Sequence, residues 1–191
     1  MMKEDIAELR SGILSVEVMS SDQAASFAVK VDNHEWKKST VAEVRGLSKI
    51  EYVAEDIRLC NAIGESGAGQ LIEEVLELVG KKALHTFNSY WGMNFTHLVN
   101  PQFTKYELGH FIRVHTDDGA AFPLRVGSVV VYLTDDYLGG EISFPKFNLT
   151  VRPRAGTALI FPSDYVHEVL KVKQGTKKIF LFFIEANARA A

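Results

Sequence analysis

The sequence predicts a mainly β protein with flanking helices, whose strands form a sandwich or barrel of the jelly-roll type. The first observation behind this prediction is a change of pattern near residue 95. After that point, about eight short apolar runs are separated by turns that contain Gly, Pro or Asp. Before it, two stretches have the periodicity of amphipathic helices. The helices are therefore expected to pack outside a β-core.

Three elements are predicted ahead of the core. The segment "ILSVEVM" alternates between apolar and other residues and predicts a strand. A helix is predicted from residue 20 to about residue 29, because Ser20 and Gln23 can form a capping box that satisfies free backbone amides. A second helix is predicted in "GQLIEEVLELVGKKALHTFNSYW", where the apolar side chains form one stripe: Leu71, Ile72, Val75, Leu76 and Val79.

The predicted core strands follow one another at short intervals. Each turn between them contains Gly, Pro or Asp, which favour the backbone conformations of turns. These turns are "ELG", "DDG", "DDYLGG", "RPRAG", "PSD" and "KQG". The strands are predicted at 102–107, 110–115, 127–133, 141–144, 148–151, 157–161, 166–172 and 178–184.

Composition narrows the class of protein. The chain has 191 residues, of which 47% are apolar and 24% charged, which is ordinary for a globular protein with a core. The net charge of −3 gives no broad basic surface, so nucleic acid is not an expected partner. No repeat or linker divides the chain. We therefore expect a single domain over 1–191, with an N-terminal helical support region at about 1–95 and a β-core at about 96–185.

Localisation is predicted to be cytoplasmic and soluble. The N-terminus "MMKEDIAELRSG" lacks the apolar segment of a signal peptide. No run approaches the roughly 20 apolar residues that a membrane helix requires, so no membrane association is expected. Cys60 is the only cysteine, which excludes an internal disulfide and suits a reducing compartment.

The segment "FIRVHTDDG" contains the first candidate metal site. His115 and Asp117 are two residues apart at the end of a predicted strand, so their side chains point to the same face. The plainer interpretation is a polar turn at a strand end, because six histidines and 24 acidic residues make one His-x-acid pair an expected coincidence. Asp118 is assigned to the turn. This segment alone leaves both interpretations open.

Two residues far along the chain favour the metal site. His167 begins another alternating strand, and a His-x-Asp pair with a distant His is the ligand set suited to ferrous iron. Lys177 enters the apolar strand "KKIFLFFI", where a buried ammonium group needs an anionic partner such as a small dicarboxylate. The alternatives are a core histidine bonded to backbone and a surface lysine. No second histidine follows His167 at helical spacing, so the zinc-protease motif is absent.

The motifs together resemble the iron(II)- and 2-oxoglutarate-dependent dioxygenases, specifically the prolyl 4-hydroxylase-like superfamily. The resemblance covers about residues 100–185 in order and spacing. Its segments are "YELGHFIRVHTDD", "RVGSVVVYLTDDYLGGEISFP" and "VRPRAGTALIFPSDYVHEVLKVKQGTKK". The matching positions are Tyr106, Gly109, His115, Asp117, Tyr132, Leu133, Gly139 to Glu141, Phe144, Pro145, Pro153, Gly156, His167, Val172, Gly175 and Lys177.

The resemblance implies a double-stranded β-helix, the jelly-roll core that cupins share. It implies that His115, Asp117 and His167 hold iron and form the catalytic centre, and that Lys177 pairs with the distal carboxylate of 2-oxoglutarate. Tyr106 and Tyr132 match positions that line the cosubstrate pocket in the family. Iron(II), 2-oxoglutarate and dioxygen are the implied cofactors and cosubstrates, with ascorbate as a candidate reductant.

The implied reaction is hydroxylation of an unactivated C–H bond with release of succinate and carbon dioxide. Related halogenases replace the carboxylate ligand by a small residue, so the presence of Asp117 favours hydroxylation, or a desaturation or cyclisation variant. Arg113, two residues before His115, and Arg125, at the start of the next strand, are candidate substrate-binding residues. The expected substrate is a small molecule, an amino acid or a prolyl-type peptide, and the oligomeric state stays open.

Two other functions remain as alternatives from the sequence. One is a cupin-like metal protein of another class, such as an isomerase or hydrolase, which would not need Lys177. The other is a catalytically silent binding domain that keeps the fold. The presence of all three candidate ligands together with Lys177 favours the dioxygenase.

Overall fold

The computed structural model describes residues 6–186. Two α-helices precede the core, α1 (Ser21–Lys30) and α2 (Glu65–Trp91). Two short 3-10 turns cover 31–33 and 145–147. The strands of the described part are β1 Ile6–Arg10, β2 Ile13–Glu17, β3 Lys37–Lys38, β4 Val41–Arg45, β5 Ser48–Tyr52, β6 Arg58–Leu59, β7 Asn61–Ile63, β8 His97–Tyr106, β9 Phe111–His115, β10 Arg125–Tyr132, β11 Leu138–Gly139, β12 Ile142–Phe144, β13 Leu149–Val151, β14 Thr157–Pro162, β15 His167–Val169, β16 Val172–Gln174 and β17 Lys177–Glu185.

Two antiparallel sheets dominate the fold. The larger has eight strands in the order β1-β2-β14-β10-β17-β8-β7-β3. The smaller has five strands in the order β13-β12-β15-β9-β6. Two-stranded pairs, β11 with β16 and β4 with β5, complete the described strands. The predicted fold class, a mainly β jelly roll with flanking helices, is confirmed.

The strands in the middle of the large sheet are buried on both faces. In β10, Val129 and Val131 pack into the cluster that includes the helices, whereas Val130 and Tyr132 face the smaller sheet. The same alternation runs along β14 and β17. Burial on both faces explains why "GSVVVYL" and "KIFLFFI" are nearly continuous apolar runs. The second face supplies one wall of the space between the sheets.

The helices cover the outer face of the large sheet, as predicted. Helix α1 begins after Ser20, whose side chain accepts from the Gln23 amide while the Gln23 side chain accepts from the Ser20 amide, so the capping box is confirmed. Helix α2 starts four residues before its predicted start and ends at Gly92, which adopts the left-handed conformation. Within residues 6–186, neither helix is both long and apolar enough to cross a membrane.

The strand predictions differ from the structure in four places, one of which is β1 at Ile6–Arg10, a strand that was not predicted. The strand predicted at 166–172 is two strands, β15 and β16. The turn predicted in "DDYLGG" contains β11, where Gly139 has φ +72 and a Cβ atom would lie 2.2 Å from the Lys171 carbonyl oxygen. Residues 37–63 form five short strands that were not predicted. Strands of two to five residues lack the length over which alternation becomes recognisable.

Candidate active site

A cavity of about 850 Å³ lies between the two sheets. It is lined by residues of β8, β10 and β17 from the large sheet and of β6, β9 and β15 from the small one. The hairpin of β4 and β5 also lines it. All of the predicted site residues except Arg113 line this cavity.

His115, Asp117 and His167 form one cluster in the cavity. Their potential ligand atoms all lie within 4.8 Å of one another. Nε2 of His115 and Nε2 of His167 are each 3.6 Å from a different carboxylate oxygen of Asp117. The two histidines come together because β9 and β15 pair with His115 opposite His167. Distant parts of the sequence thus present two imidazoles and one carboxylate to a common point.

Hydrogen bonds fix the protonation of both imidazoles. Nδ1 of His115 is 2.8 Å from the Arg113 carbonyl oxygen, and Nδ1 of His167 is 2.8 Å from the Tyr165 carbonyl oxygen. A carbonyl only accepts, so each Nδ1 carries the proton and donates. Each Nε2 then offers a lone pair towards Asp117. This donor set fits a divalent metal such as iron(II), with coordination positions left for other ligands.

Asp117 is held in its ionised form. Its backbone amide donates to the Ser163 carbonyl at 2.9 Å, and the Ser128 hydroxyl donates to its Oδ2 at 2.7 Å. Burial acts to raise the pKa of Asp117, but the nearby His167 and His115 and the Ser128 hydrogen bond outweigh it and lower the pKa. A carboxylate that is ionised and oriented by a neighbouring hydroxyl is suited to metal binding.

His167 lies in an apolar environment. It is 5% exposed, and its ring lies beside the rings of Phe144 and Phe161 at centroid distances of 5.8 and 5.0 Å. Burial lowers the pKa of His167, although Asp117 acts in the opposite direction. The neutral imidazole, which is the form that binds metals, is therefore favoured.

Lys177 is buried in the same cavity without a carboxylate partner. It is 1% exposed, and its Nζ donates to the Gly140 carbonyl at 2.8 Å. In residues 6–186, no carboxylate oxygen lies within ion-pair distance of Nζ. Burial lowers the pKa of Lys177 to about 7, an effect that Glu141 partly offsets. A buried ammonium group without a carboxylate partner would be stabilised by a bound anion.

Tyr106 and Tyr132 lie on either side of this lysine. Nζ of Lys177 is 5.0 Å from the ring centroid of Tyr106 and 5.2 Å from that of Tyr132. Burial raises the pKa of both phenols well above its ordinary value, so each keeps its proton. The buried Tyr132 hydroxyl has no hydrogen-bond partner among the described residues. It is therefore available to donate to a ligand that reaches Lys177.

The two arginines predicted as substrate-binding residues are placed differently. Arg113 is exposed and does not line the cavity, contrary to the expectation that it shares a face with His115. The reason is a β-bulge, because Ile112 and His115 of β9 pair with Val169 and His167 of β15. His115 follows Ile112 by three residues in β9, whereas the paired residues His167 and Val169 are two apart in β15. The extra residue in β9 reverses the side-chain alternation, so Arg113 does not share a face with His115.

Arg125 lines the cavity and supports the segment that contains Asp117. Its terminal nitrogens donate to the Asp117 carbonyl at 3.1 Å and to Asn100 Oδ1 at 2.9 Å. The guanidinium group lies 3.5 Å from the Phe122 ring centroid and 3.6 Å from that of Phe183. Burial lowers its pKa to about 10. These contacts hold Arg125 rigidly at the edge of the site.

Comparison with known proteins agrees with this geometry. Residues 101–185 match the model of the 2OG-Fe(II) oxygenase superfamily. This β-core therefore has the sequence pattern of the 2OG-Fe(II) oxygenase superfamily. The matched range contains the cluster of His115, Asp117 and His167 as well as Lys177, and the predicted resemblance to the 2-oxoglutarate-dependent dioxygenases of the prolyl 4-hydroxylase-like kind is confirmed.

Full-length similarities extend beyond the oxygenase core. A PKHD-type hydroxylase of Gluconobacter oxydans is 25% identical over 186 residues, which cover 90% of this chain and 77% of the relative. A prolyl 4-hydroxylase of Pseudomonas putida superposes with a TM-score of 0.71 at 19% identity, covering 97% and 95% of the two chains. A prolyl hydroxylase of Trichoplax adhaerens, solved with a peptide fragment of the hypoxia inducible factor, gives a TM-score of 0.63 at 15% identity over 91% and 84%. The N-terminal part therefore shares the oxygenase fold as well.

Sequence reasoning missed two residues of the oxygenase site. Ser128 orients Asp117, and its signal was available, because it shares the inward face of β10 with Tyr132. Arg58 lines the cavity from β6, a two-residue strand in a segment with no motif. Nothing local distinguishes Arg58 from a surface arginine, and its position follows from the pairing of β6 with β9.

The hairpin of β4 and β5 lies at the mouth of the cavity. Nζ of Lys49 is 4.0 Å from the Phe122 ring centroid, which ties the hairpin to the loop after Asp117. Gly46 makes its turn with φ +64, and the adjacent Leu47 is fully exposed. The hairpin thus forms part of the wall of the cavity that contains His115, Asp117 and His167.

Proposed function

We propose that the protein is an iron(II)- and 2-oxoglutarate-dependent hydroxylase of a small molecule, an amino acid or a prolyl-type peptide. The observation that carries the proposal is the presence, in one cavity, of the His115, Asp117 and His167 cluster and the uncompensated cation Lys177. A metal protein with no dicarboxylate cosubstrate would not need a buried lysine that lacks a partner.

The cluster is proposed to hold the metal. His115 and His167 would each bind through Nε2, because both Nδ1 atoms donate to backbone carbonyls. Asp117 would bind through its carboxylate, which the Ser128 hydroxyl orients. Two imidazoles and one carboxylate would supply three ligands to iron(II) and would leave coordination positions for cosubstrate and dioxygen.

Lys177 is proposed to bind the distal carboxylate of 2-oxoglutarate. The charged ammonium and the free Tyr132 hydroxyl together offer two donors to a carboxylate at the inner end of the cavity. Iron, when bound with 2-oxoglutarate, supplies the oxidation in which one atom of dioxygen enters the substrate C–H bond and the other enters succinate, with loss of carbon dioxide. The chain itself contributes positioning, charge and exclusion of water from this end.

The substrate range is proposed from the cavity and the relatives. The named relatives are PKHD-type and prolyl hydroxylases, and one was solved with a peptide. The cavity has a volume of about 850 Å³, which leaves room for a side chain or a small metabolite beside the cluster. A screen of amino acids, peptides and metabolites that reads succinate release above the uncoupled background would identify the substrate.

Anaerobic titration tests the proposal directly. Adding iron(II) and then 2-oxoglutarate should produce the weak visible charge-transfer band of the bidentate chelate, and well-folded protein without the band would refute the proposal. The substitution Lys177→Met should shift the titration to higher 2-oxoglutarate concentration. Lys173→Met, at an exposed lysine of the neighbouring β16, is the matched control and should leave the band unchanged.

A further inference from the structure

Arg58 is a cation of the active-site cavity that none of the proposed steps uses. It lies in β6 at the edge of the small sheet, where it pairs with Ile112 of β9. Its side chain lines the cavity that contains the metal-binding cluster. Arg58 is close enough to Tyr106 and Asp117 to interact with both electrostatically.

The hydrogen bonding of Arg58 is incomplete. Its Nε donates to the Cys60 sulfur at 3.3 Å, and the buried Cys60 thiol in turn contacts the Ser39 hydroxyl at 3.3 Å. The terminal nitrogens of Arg58 have no acceptor among residues 6–186. The guanidinium group is therefore anchored at one nitrogen and presents its fork of donors to the cavity.

Two other cations at the cavity, Lys38 and Lys49, have carboxylate partners. Lys38 pairs with Glu55, and Lys49 lies 3.1 Å from Glu51. In the described chain, Arg58 has no ion pair. A largely buried charge that lacks a partner is costly, and a carboxylate bound by both terminal nitrogens would offset that cost.

The charge on Arg58 persists in this environment. Burial acts to lower its pKa, but the neighbouring Cys60, Tyr106 and Asp117 outweigh burial and raise it. Arg125, the other arginine of the cavity, already donates to two neutral oxygens and is enclosed by aromatic rings. Both terminal nitrogens of Arg125 are therefore engaged, whereas those of Arg58 have no acceptor among the described residues and are free for a ligand.

The cosubstrate does not need Arg58. In the proposed function, 2-oxoglutarate has one carboxylate at Lys177 and the other at the metal, so both of its charges have partners. Lys177 belongs to β17 of the large sheet, whereas Arg58 belongs to the edge of the small sheet. Arg58 is therefore free to pair with an anionic group of the substrate that is oxidised.

We propose that Arg58 is a specificity-determining residue that binds a carboxylate of the primary substrate. This inference rests on the proposed function and narrows its substrate class to carboxylic acids, among them free and N-acylated amino acids. A bidentate pair between guanidinium and carboxylate fixes the orientation of the substrate as well as its affinity. The uncharged amide of the same molecule would leave the guanidinium without its ion pair.

Matched acid and amide probes test the assignment. The protein is loaded anaerobically with iron(II) and 2-oxoglutarate, and appearance of the charge-transfer band first checks the proposed function by itself. Calorimetric titrations then compare N-acetyl-proline, N-acetyl-leucine and N-acetyl-lysine with their primary amides. We expect at least one acid to bind about 10-fold or more tightly than its own amide, which is the range of one charge-assisted hydrogen-bonded pair.

Variants test whether Arg58 causes the preference for the acid over the amide. Arg58→Gln should abolish the acid-to-amide ratio while leaving the band and the 2-oxoglutarate titration unchanged. Arg58→Lys keeps the charge without the fork and should retain part of the ratio. Arg154→Gln, at an exposed arginine outside the cavity, should keep the full ratio. Melting temperatures establish that each variant is folded.

Three results would overturn the assignment. The first is that no acid binds more tightly than its amide to protein that shows the band. The second is that Arg58→Gln and Arg58→Lys both retain the full ratio. The third is that Arg58→Gln weakens 2-oxoglutarate instead, which would place the cosubstrate at Arg58. Absence of the band in wild-type protein is a separate result, which refutes the proposed function itself.

Discussion

Replacing Lys177 by Met tests how much the buried charge destabilises the fold and whether that charge contributes to 2-oxoglutarate binding. The side chain is 1% exposed, and burial lowers its pKa from 10.5 to about 7 despite the opposing effect of Glu141. Each pKa unit corresponds to about 1.4 kcal/mol. The ligand-free fold therefore loses about 5 kcal/mol of stability when Lys177 is charged.

The sign of this effect depends on pH. Because the folded pKa of Lys177 lies below the unfolded value, the penalty is complete below about pH 7 and vanishes above 10.5. Met removes the penalty but also removes the donor to the Gly140 carbonyl, a pH-independent loss of about 1–3 kcal/mol. We expect Lys177→Met to be more stable than wild type by about 2–4 kcal/mol at pH 6 and of similar stability near pH 9.5.

Urea denaturation of metal-free protein at several pH values measures this difference. Lys173→Met, at an exposed position, should match wild type at every pH. Comparing variant with wild type at each pH cancels the titration of all other groups. A stability difference that stays constant from pH 6 to pH 9.5 would show that the pKa of Lys177 is not lowered by burial.

The same substitution should have the opposite effect on binding. Removing one partner of a buried, hydrogen-bonded ion pair costs about 3–5 kcal/mol. The affinity of Lys177→Met for 2-oxoglutarate should therefore fall by about 150- to 4,000-fold, as read by anaerobic titration with iron(II). A variant that gains stability at pH 6 yet binds 2-oxoglutarate as tightly as wild type would refute the proposed role of Lys177.

Three further predictions concern neighbouring features. Ser128→Ala removes the hydrogen bond to Asp117 and should weaken iron(II) binding about 10- to 100-fold in a competition titration, and unchanged affinity would contradict the orienting role. Binding of 2-oxoglutarate at pH 8 should take up close to one proton as Lys177 becomes charged, and none at pH 6, as calorimetry in buffers of different ionisation enthalpy would measure. Gly156→Ala should destabilise the fold by more than about 2 kcal/mol in urea denaturation, because the new Cβ atom would lie 2.3 Å from the Met19 carbonyl oxygen. Gly46→Ala, at a glycine with positive φ but open space around it, should destabilise the fold by only about 1 kcal/mol. Equal losses of stability in the two variants would contradict the steric argument.

Much of the fold was predictable because its long elements have clear patterns. The apolar alternation of β10 and β17 and the stripe of helix α2 each extend over enough residues to be unambiguous. The five strands within residues 37–63 were not predictable, since all are short. Strands β6 and β7 also depend on pairing with strands that are distant in sequence, whereas β4 and β5 form a local hairpin. Arg58 was not predictable for the same reason, because the pairing of β6 with β9 places it at the cavity. Its proposed role follows from the lack of an ion-pair partner there.

The site residues were found where spacing and motif agreed. His115 and Asp117 were ambiguous alone, and the positions of His167 and Lys177 in the sequence favoured a metal site. The structure places all four residues in one cavity. Lys177 and Lys178 show how alternation separates two adjacent lysines. The first is buried beside the cavity, whereas Nζ of the second donates to Asp32 and to the Ala28 carbonyl on the opposite face.

The bulge in β9 explains both the success and the failure of alternation in this strand. Ile112 and His115 line the cavity although they are three residues apart, which a regular strand does not allow. The extra residue leaves Arg113 and Val114 both exposed, and it brings His115 level with His167. Counting back from His115 by two therefore placed Arg113 on the wrong face. Counting forward to Asp117 succeeded because that step lies beyond the bulge, where the Asp117 amide donates to the Ser163 carbonyl instead. One inserted residue thus brings the imidazole into the cluster and turns Arg113 away from it.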